Sequence, residues 1–407
     1  MLYQWYELNR QALAQASALA KVSSSFWQSP LNPLSCTEAG TMAAAALDVF
    51  AHTTQLYGKP RFGLTETMID GQPVTVTEEI VLRLPFGQLK RFRRDTDRQD
   101  PRVLVVAPMS GHFATLLRGT VKELLPDHDV YVTDWRDAKR VPVTDGRFDL
   151  DDYIDYVIRF LEEIGPGAHV IAVCQPSVPV FAALALMSED GNPATPRSVT
   201  LMGGPVDTRQ NPTAVNDLAQ RRPRAWFEQN AIATVPANYP GAGRRVYPGF
   251  LQLAGFMSMN LGDHLISHWE MFNHLVEGDG ESAEAKMKFY EEYRSVADMT
   301  AEFYLQTVET VFQTHALPKG EMLYRGTRRI DPSRITRTAL LAVEGEKDDI
   351  SGIGQTKAAL TLASTLDEAK KKYFLAEGVG HYGIFNGRNW RERIAPVVKA
   401  WIAQNNG

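Results

Sequence analysis

Only two cysteines, Cys36 and Cys174, occur in 407 residues. That excludes a disulfide framework and a cysteine-rich structural zinc site, and it favours a reducing compartment. Long hydrophobic runs are missing too. No stretch approaches about 18 uninterrupted apolar residues, so no membrane-spanning helix is expected. The opening residues carry Tyr3, Trp5, Glu7 and Arg10 and lack the basic-then-apolar layout of a secretory leader, so the expected location is the cytosol. Neither sign of charge dominates: 43 basic against 48 acidic residues leave a net charge of -5, which gives no footprint for nucleic acid or an anionic membrane. No H-E-x-x-H or Cys/His cluster is present, so no metal site is expected. Gly203-Gly204 follows an apolar run without a G-x-G-x-x-G or Walker pattern, so no nucleotide cofactor is expected.

What is present is a chain of ordinary globular composition, 44% hydrophobic and 22% charged. It is too long for a single simple core, which implies one large domain carrying an insertion, or two domains. Residues 1–60 read as helical, with Leu8, Leu13 and Leu19 and then Met42 to Tyr57, broken by Pro30 and Pro33. Asp70-Gly71 is a turn signal, and Val74, Val76, Ile80, Leu82 and Leu84 then fit antiparallel strands. Apolar runs at 103–106, 130–132, 169–173 and 198–202 alternate with helical stretches, the mark of a parallel sheet covered on both faces. About 130 residues of mostly helical, aromatic-rich pattern interrupt this rhythm; among them are Ile266 to Leu275 and Ala283 to Ala297. Strand patterns resume at 339–343 and 373–375, and Ile394 to Ala403 closes the chain as a helix. The organisation expected is an N-terminal helical segment at 1–60, an α/β core at 61–206 and 338–407, and a helical cap at 207–337 inserted before the last two core strands.

Open α/β sheets place their active sites at strand-end loops, and three such loops carry matching chemistry. Val173-Cys174-Gln175-Pro176-Ser177 joins a strand directly to a helix, the layout of a nucleophile elbow. Pro176 suits an early helical position, and the helix N-terminus favours a thiolate. The plain alternative for Cys174 is a buried small hydrophobe. Ala172 and Pro176 stand where the elbow pattern has glycines, and Ser177, one turn inside the helix, is the rival nucleophile. After the next-to-last strand, Gly345-Glu346-Lys347-Asp348-Asp349 offers a carboxylate to orient a histidine. Spacing from Gly345 favours Asp348 over Asp349, against the alternative of a solvated acidic loop. Gly378-Val379-Gly380-His381-Tyr382-Gly383 sets a histidine between glycines after the last strand, a flexible and exposed setting unlike that of a core histidine and suited to a general base. The order nucleophile, acid, histidine is that of α/β-hydrolases. The oxyanion donors expected are the amides of Gln175 and of Met109, with Ser110 next. His112 is a candidate contact to substrate or leaving group, against the equal alternative of a plain loop histidine. Asp134 and Trp135 end the neighbouring strand and read as structural or as pocket lining, which makes Trp135 a candidate substrate contact.

The chain resembles the intracellular polyhydroxybutyrate depolymerases, which are related to the polyhydroxyalkanoate synthases. The residues that carry the resemblance are Met1-Leu2-Tyr3-Gln4-Trp5-Tyr6-Glu7, Ala107-Pro108-Met109-Ser110-Gly111-His112, Val130-Tyr131-Val132-Thr133-Asp134-Trp135, Val173-Cys174-Gln175-Pro176 and Gly378-Val379-Gly380-His381-Tyr382-Gly383. The resemblance implies Cys174 as nucleophile, Asp348 as orienting acid and His381 as base. It implies an amorphous storage polyester as substrate and a site at the granule surface. Water or coenzyme A would accept the acyl group, and sequence does not choose between them. Two other readings stay open: a synthase-like acyltransferase, and a granule-binding protein without activity. The stretch Tyr247 to Met259, rich in aromatic and aliphatic residues including Phe250 and Phe256, is a candidate adsorption patch if exposed, and cap core if buried.

Overall fold

The computed structural model describes residues 2–259, 269–276, 287–288 and 290–407. Helices α1 (Leu2–Trp27) and α2 (Glu38–Thr54) form an antiparallel hairpin joined by the segment that holds Pro30 and Pro33. Leu8, Leu13 and Leu19, which carry the helical apolar signal in the sequence, are exposed. The helices meet through small residues instead: Ser17, Ala20 and Ser24 of α1 and Ala44, Ala45 and Ala51 of α2 are buried. Ser17 Oγ donates to the Ala51 carbonyl at 2.7 Å, and Ser24 Oγ to the Ala44 carbonyl at 3.3 Å.

Strands β1 (Glu66–Ile69) and β2 (Gln72–Arg83) are joined by the expected turn, with Asp70 at φ 50° and Gly71 at φ 78°. That pair of positive dihedrals is the hairpin geometry which Asp-Gly accommodates. Seven strands complete the sheet: β3 (Gly87–Arg94), β4 (Arg102–Val106), β5 (Asp129–Trp135), β6 (His169–Val173), β7 (Ser198–Met202), β8 (Ala339–Gly345) and β9 (Lys371–Ala376). Their order is β1-β2-β3-β5-β4-β6-β7-β8-β9. The pairs from β5 to β9 are all parallel, and β1 to β3 join on antiparallel. Helices α3 (Arg118–Leu124), α4 (Leu150–Ile164) and α5 (Ser177–Glu189), with the C-terminal helix Ala395–Gln404, supply the crossovers and outer layers. Burial follows from this sandwich. Every residue of β6 and β7 is buried, because both faces are covered. The chain has the α/β-hydrolase fold.

The segment between β7 and β8 holds helices Ala214–Arg221, Arg224–Ala231, Gly249–Met259 and Ala301–Thr307. It is less purely helical than its sequence pattern predicts. Short strands Ala233–Thr234, Arg245–Tyr247 and Met299–Thr300 form a three-stranded sheet, and Leu323–Tyr324 pairs with Arg328–Arg329. Strands of two or three residues are too short to leave a period-two signal. The expected helices Ile266 to Leu275 and Ala283 to Ala297 lie partly outside the described residues. Among those described, 269–276 and 290–294 are helical. The candidate patch is neither buried core nor an open surface where its side chains are described: Tyr247, Phe250, Leu251 and Met257 are half-buried, Phe250 stacks on Tyr6 at 3.7 Å, and Tyr247 lies 4.1 Å from the Tyr304 ring. The side chains of Phe256 and Met259 lie outside the described residues. Among the described residues, no helix is long and apolar enough to cross a membrane.

Candidate active site

The residues singled out by the sequence converge at the C-terminal edge of the parallel strands. β6 ends at Val173 and α5 begins at Ser177, which leaves three residues for the reversal. Cys174 sits at its apex with φ 67°, a left-handed conformation that costs a non-glycine residue about 1–3 kcal/mol and that surrounding structure must enforce. Its amide donates to the Met202 carbonyl at 2.7 Å, and its own carbonyl accepts from the Ser177 amide at 3.0 Å. Room for this turn comes from the neighbouring loop. A Cβ on Gly204 would fall 2.0 Å from Ser177 Oγ and 2.8 Å from the Cys174 carbonyl oxygen. The glycines that are absent from the elbow are supplied beside it, by the Gly203-Gly204 pair. Ser177 is fully buried on the first turn of α5, away from the apex.

Asp348 and His381 face each other across the loops that follow β8 and β9. The Asp348 carboxylate meets His381 Nδ1 at 2.7 Å through Oδ2. Its Oδ1 accepts from the amides of Ile350 and Ser351 at 2.9 and 2.8 Å. Asp349, the alternative acid, is exposed. Gly203, at φ 57°, lies under the pair, where a Cβ would stand 3.2 Å from Asp348 Oδ2 and 3.3 Å from His381 Cε1. Burial opposes a charge on His381, but the Cys174 sulfur and the Asp348 carboxylate outweigh it and hold the ring's pKa well above its ordinary value. The ring is buried, not in the exposed setting its flanking glycines suggest, because the loops after β8 and β9 close over it.

The acid loop has its own anchor, which sequence reading missed. Glu344 at the end of β8 is fully buried. Its carboxylate accepts from the amides of Gly354, Thr356 and Lys357 at 2.9, 2.7 and 2.9 Å, and from the Tyr373 hydroxyl at 2.7 Å. Only an acid inside an otherwise apolar strand hints at this role in the sequence. Tyr382 was also missed as a contributor. Burial first, then Tyr293 and the Cys174 sulfur, push its hydroxyl far toward the protonated form.

Among the expected oxyanion donors, the Met109 amide points to the Gln175 side chain, donating to Oε1 at 3.3 Å. Ser110 follows it and is half-buried. The remaining candidates stand further from the chemistry. His112 is buried, with Nε2 on the Tyr293 carbonyl at 3.1 Å, and burial pushes its pKa down to about 4. It is a neutral ring that pins this loop to the cap. Trp135 is buried with Nε1 on the Ala107 carbonyl at 2.8 Å, beside Tyr153. Asp134 is fully buried and accepts from Lys59 and Gln88 at 2.5 and 2.7 Å. A cleft of about 870 Å³ opens between the α1–α2 hairpin and the core, with Phe113, Trp135 and Val296 in its wall. Cys174 and His381 are not part of that wall. Among the described residues, no group of three metal-ligating side chains occurs.

A thiol at a strained elbow, with a histidine held by a buried acid in the neighbouring loops, has the chemistry that acyl transfer needs. Comparison with curated proteins gives no match. Many solved structures are similar at low identity, and two serve as examples. A monoacylglycerol lipase from Paleococcus ferrophilus is 13% identical over 75% of this chain and 96% of that one, with a TM-score of 0.42. A thermophilic esterase from Thermogutta terrifontis is 13% identical over 84% and 98%, with a TM-score of 0.41. At that level neither bears on substrate or mechanism. The family model described as PHB de-polymerase C-terminus matches residues 203–406, just over half of the chain. The chain, with its α/β-hydrolase fold, belongs to that depolymerase family and is a carboxylic ester hydrolase.

Proposed function

We propose that the chain is an intracellular poly(3-hydroxybutyrate) depolymerase that works through a cysteine acyl-enzyme. The observation that carries the reading is the Asp348–His381 contact at 2.7 Å beside a Cys174 held at φ 67°. His381 takes the thiol proton, and the sulfur attacks an ester carbonyl of the polymer. The amides of Gln175 and Met109 receive the oxyanion. For this the Gln175 side chain releases the Met109 amide that it accepts from in the resting site. His381 then gives its proton to the departing alkoxide, leaving a thioester on Cys174. Water, deprotonated by His381, attacks the thioester, and the free acid and the thiol are regenerated. The family membership supports a polyester substrate, and two cysteines outside any disulfide suit a cytoplasmic setting at a storage granule.

The test is release of 3-hydroxybutyrate from amorphous polymer by wild type and Cys174→Ala, with and without coenzyme A. Acid release that is lost in the variant is the expected result. Release only as a coenzyme A thioester would replace water as the acceptor. Persistent release by the variant would remove Cys174 from the mechanism.

A further inference from the structure

The α1–α2 hairpin presents its apolar side chains outward. Among the described residues, eleven of the seventeen exposed large hydrophobic side chains lie between Trp5 and Leu56. This reverses the usual soluble pattern, in which the apolar stripe faces the core, so the concentration needs a partner. On α1 the stripe is Trp5, Leu8, Leu19, Val22 and Phe26, with exposures from 62% to 72%. It lies across the helix from the Ser17, Ala20 and Ser24 face that meets α2. Leu31, in the connection, is 93% exposed, and Leu34 follows it. Met42 and Phe50 extend the apolar surface to α2. The surface therefore covers both helices and the tip, not one narrow seam.

Charge decides what fits there. Between residues 11 and 37 the sole charged side chain is Lys21, which is hydrogen-bonded to Gln55 at 2.5 Å, and α2 adds only the acids Glu38 and Asp48, the latter accepting from Gln28. The polar residues around the stripe are amides and hydroxyls: Gln11, Gln15, Ser23 and Ser25. An anionic lipid surface is recognised through lysines and arginines on the polar face of such a helix, and these are missing. A coiled-coil partner is recognised along one seam with charged flanks, and those are missing too. An aliphatic polyester is uncharged, its backbone carries ester oxygens that only accept hydrogen bonds, and its remaining surface is apolar. Apolar side chains framed by neutral donors match it.

We infer that the α1–α2 hairpin is the element that adsorbs this enzyme to the polymer, its tip entering the amorphous surface. The inference rests on the polyester reading above. The hairpin is well placed for it. Tyr3 donates to Asp298 at 2.5 Å and Tyr6 stacks on Phe250, fixing the base of α1 to the body. The 870 Å³ cleft opens at that base, walled by Leu13 and Leu56 on the hairpin and by Phe113 on the core. Phe113 directly follows His112, which is bridged to Val296 of the cap. An adsorbed hairpin would thus hold the cleft, and the loop beyond it, against the polymer.

The experiment compares wild type with the quadruple variant Leu19→Ser, Val22→Ser, Phe26→Ser, Leu31→Ser. All four positions are exposed, so an unchanged melting temperature is expected and is checked first. Should the quadruple variant not fold, Phe26→Ser with Leu31→Ser alone is carried through. Adsorption is measured by co-sedimentation with amorphous poly(3-hydroxybutyrate) particles free of lipid and protein, and turnover with a soluble short-chain ester. Adsorption weaker by about tenfold or more, from the lost burial of several large side chains, with soluble-ester kcat/KM within about twofold, supports the inference. Unchanged adsorption overturns it while leaving the depolymerase reading intact. Wild type that cleaves the soluble ester but neither adsorbs to nor digests the particles overturns both. A halved solution mass in the variant makes a second copy the occupant, and wild-type binding to anionic vesicles as tight as to polymer makes a membrane the occupant. Either result overturns the inference.

Discussion

At the scale of single residues, the dihedral of Cys174 separates function from stability. A side chain at φ 67° is strained, and glycine is not. Cys174→Gly is therefore expected to abolish ester hydrolysis and yet raise folding stability by about 1 kcal/mol, measured by chemical denaturation. A destabilised variant would show that the cysteine is held by packing, not tolerated for chemistry. Gly204 predicts the converse. Its missing Cβ makes space for Ser177 Oγ and the Cys174 carbonyl, so Gly204→Ala should disrupt the elbow and lower stability by several kcal/mol. What the sequence could say at this scale was set by local chemistry. Cys174 and His381 stood out because strand-end turns and flanking glycines are local features. The choice of Asp348 over Asp349 depended on which carboxylate faces a ring 33 residues away, and spacing from Gly345 could only favour one.

Between residue and molecule, elements hold the site by their ends. The loop with Asp348 is anchored by Glu344, whose two oxygens accept three backbone amides and the Tyr373 hydroxyl. Glu344→Gln turns one oxygen into a donor, so at least one of those amides loses its partner in a buried setting. The expected cost is about 1–3 kcal/mol. Because the loop also positions Asp348, kcat should fall while KM for a soluble ester changes little. Tyr373→Phe, which leaves the three amides satisfied, should be milder on both counts. A full stability loss with kcat untouched would mean that Asp348 is positioned by its own bonds to Ile350 and Ser351. Sequence pattern reveals such elements where they are long and buried. The β–α alternation from 103 to 202 and the late strands were legible for that reason. The cap's two- and three-residue strands were not, and the hairpin was legible as helix but not in its orientation. Its apolar face points out, so hydrophobic periodicity located the helices without revealing which side they bury.

The whole molecule is joined by contacts that no local pattern encodes. His112 bonds to the Tyr293 carbonyl 181 residues away, tying the loop after β4 to the cap. His169 bridges Ser198 of β7 at 2.8 Å and Asn406 near the C-terminus at 3.2 Å. Burial pushes both rings down to a pKa of about 4. In the unfolded chain each titrates near 6.5, so that chain takes up protons first as pH falls. The two histidines therefore favour the folded state fully above about 6.5, and that contribution is lost progressively as pH drops toward about 4. Each ring is worth up to about 3 kcal/mol over that window. His381 runs the other way. Its raised pKa adds stability that is fully present below 6.5 and fades as pH climbs through the folded value. Melting temperatures between pH 7.5 and 4.5 should consequently fall toward acid in wild type. His112→Asn and His169→Asn, which keep a polar partner but do not titrate, should each flatten the acid slope, even where they lower stability at pH 7.5. Variant and wild-type curves that stay parallel down to pH 4.5 would show that acid sensitivity arises elsewhere, at carboxylates instead of at these two bridges between distant parts of the chain.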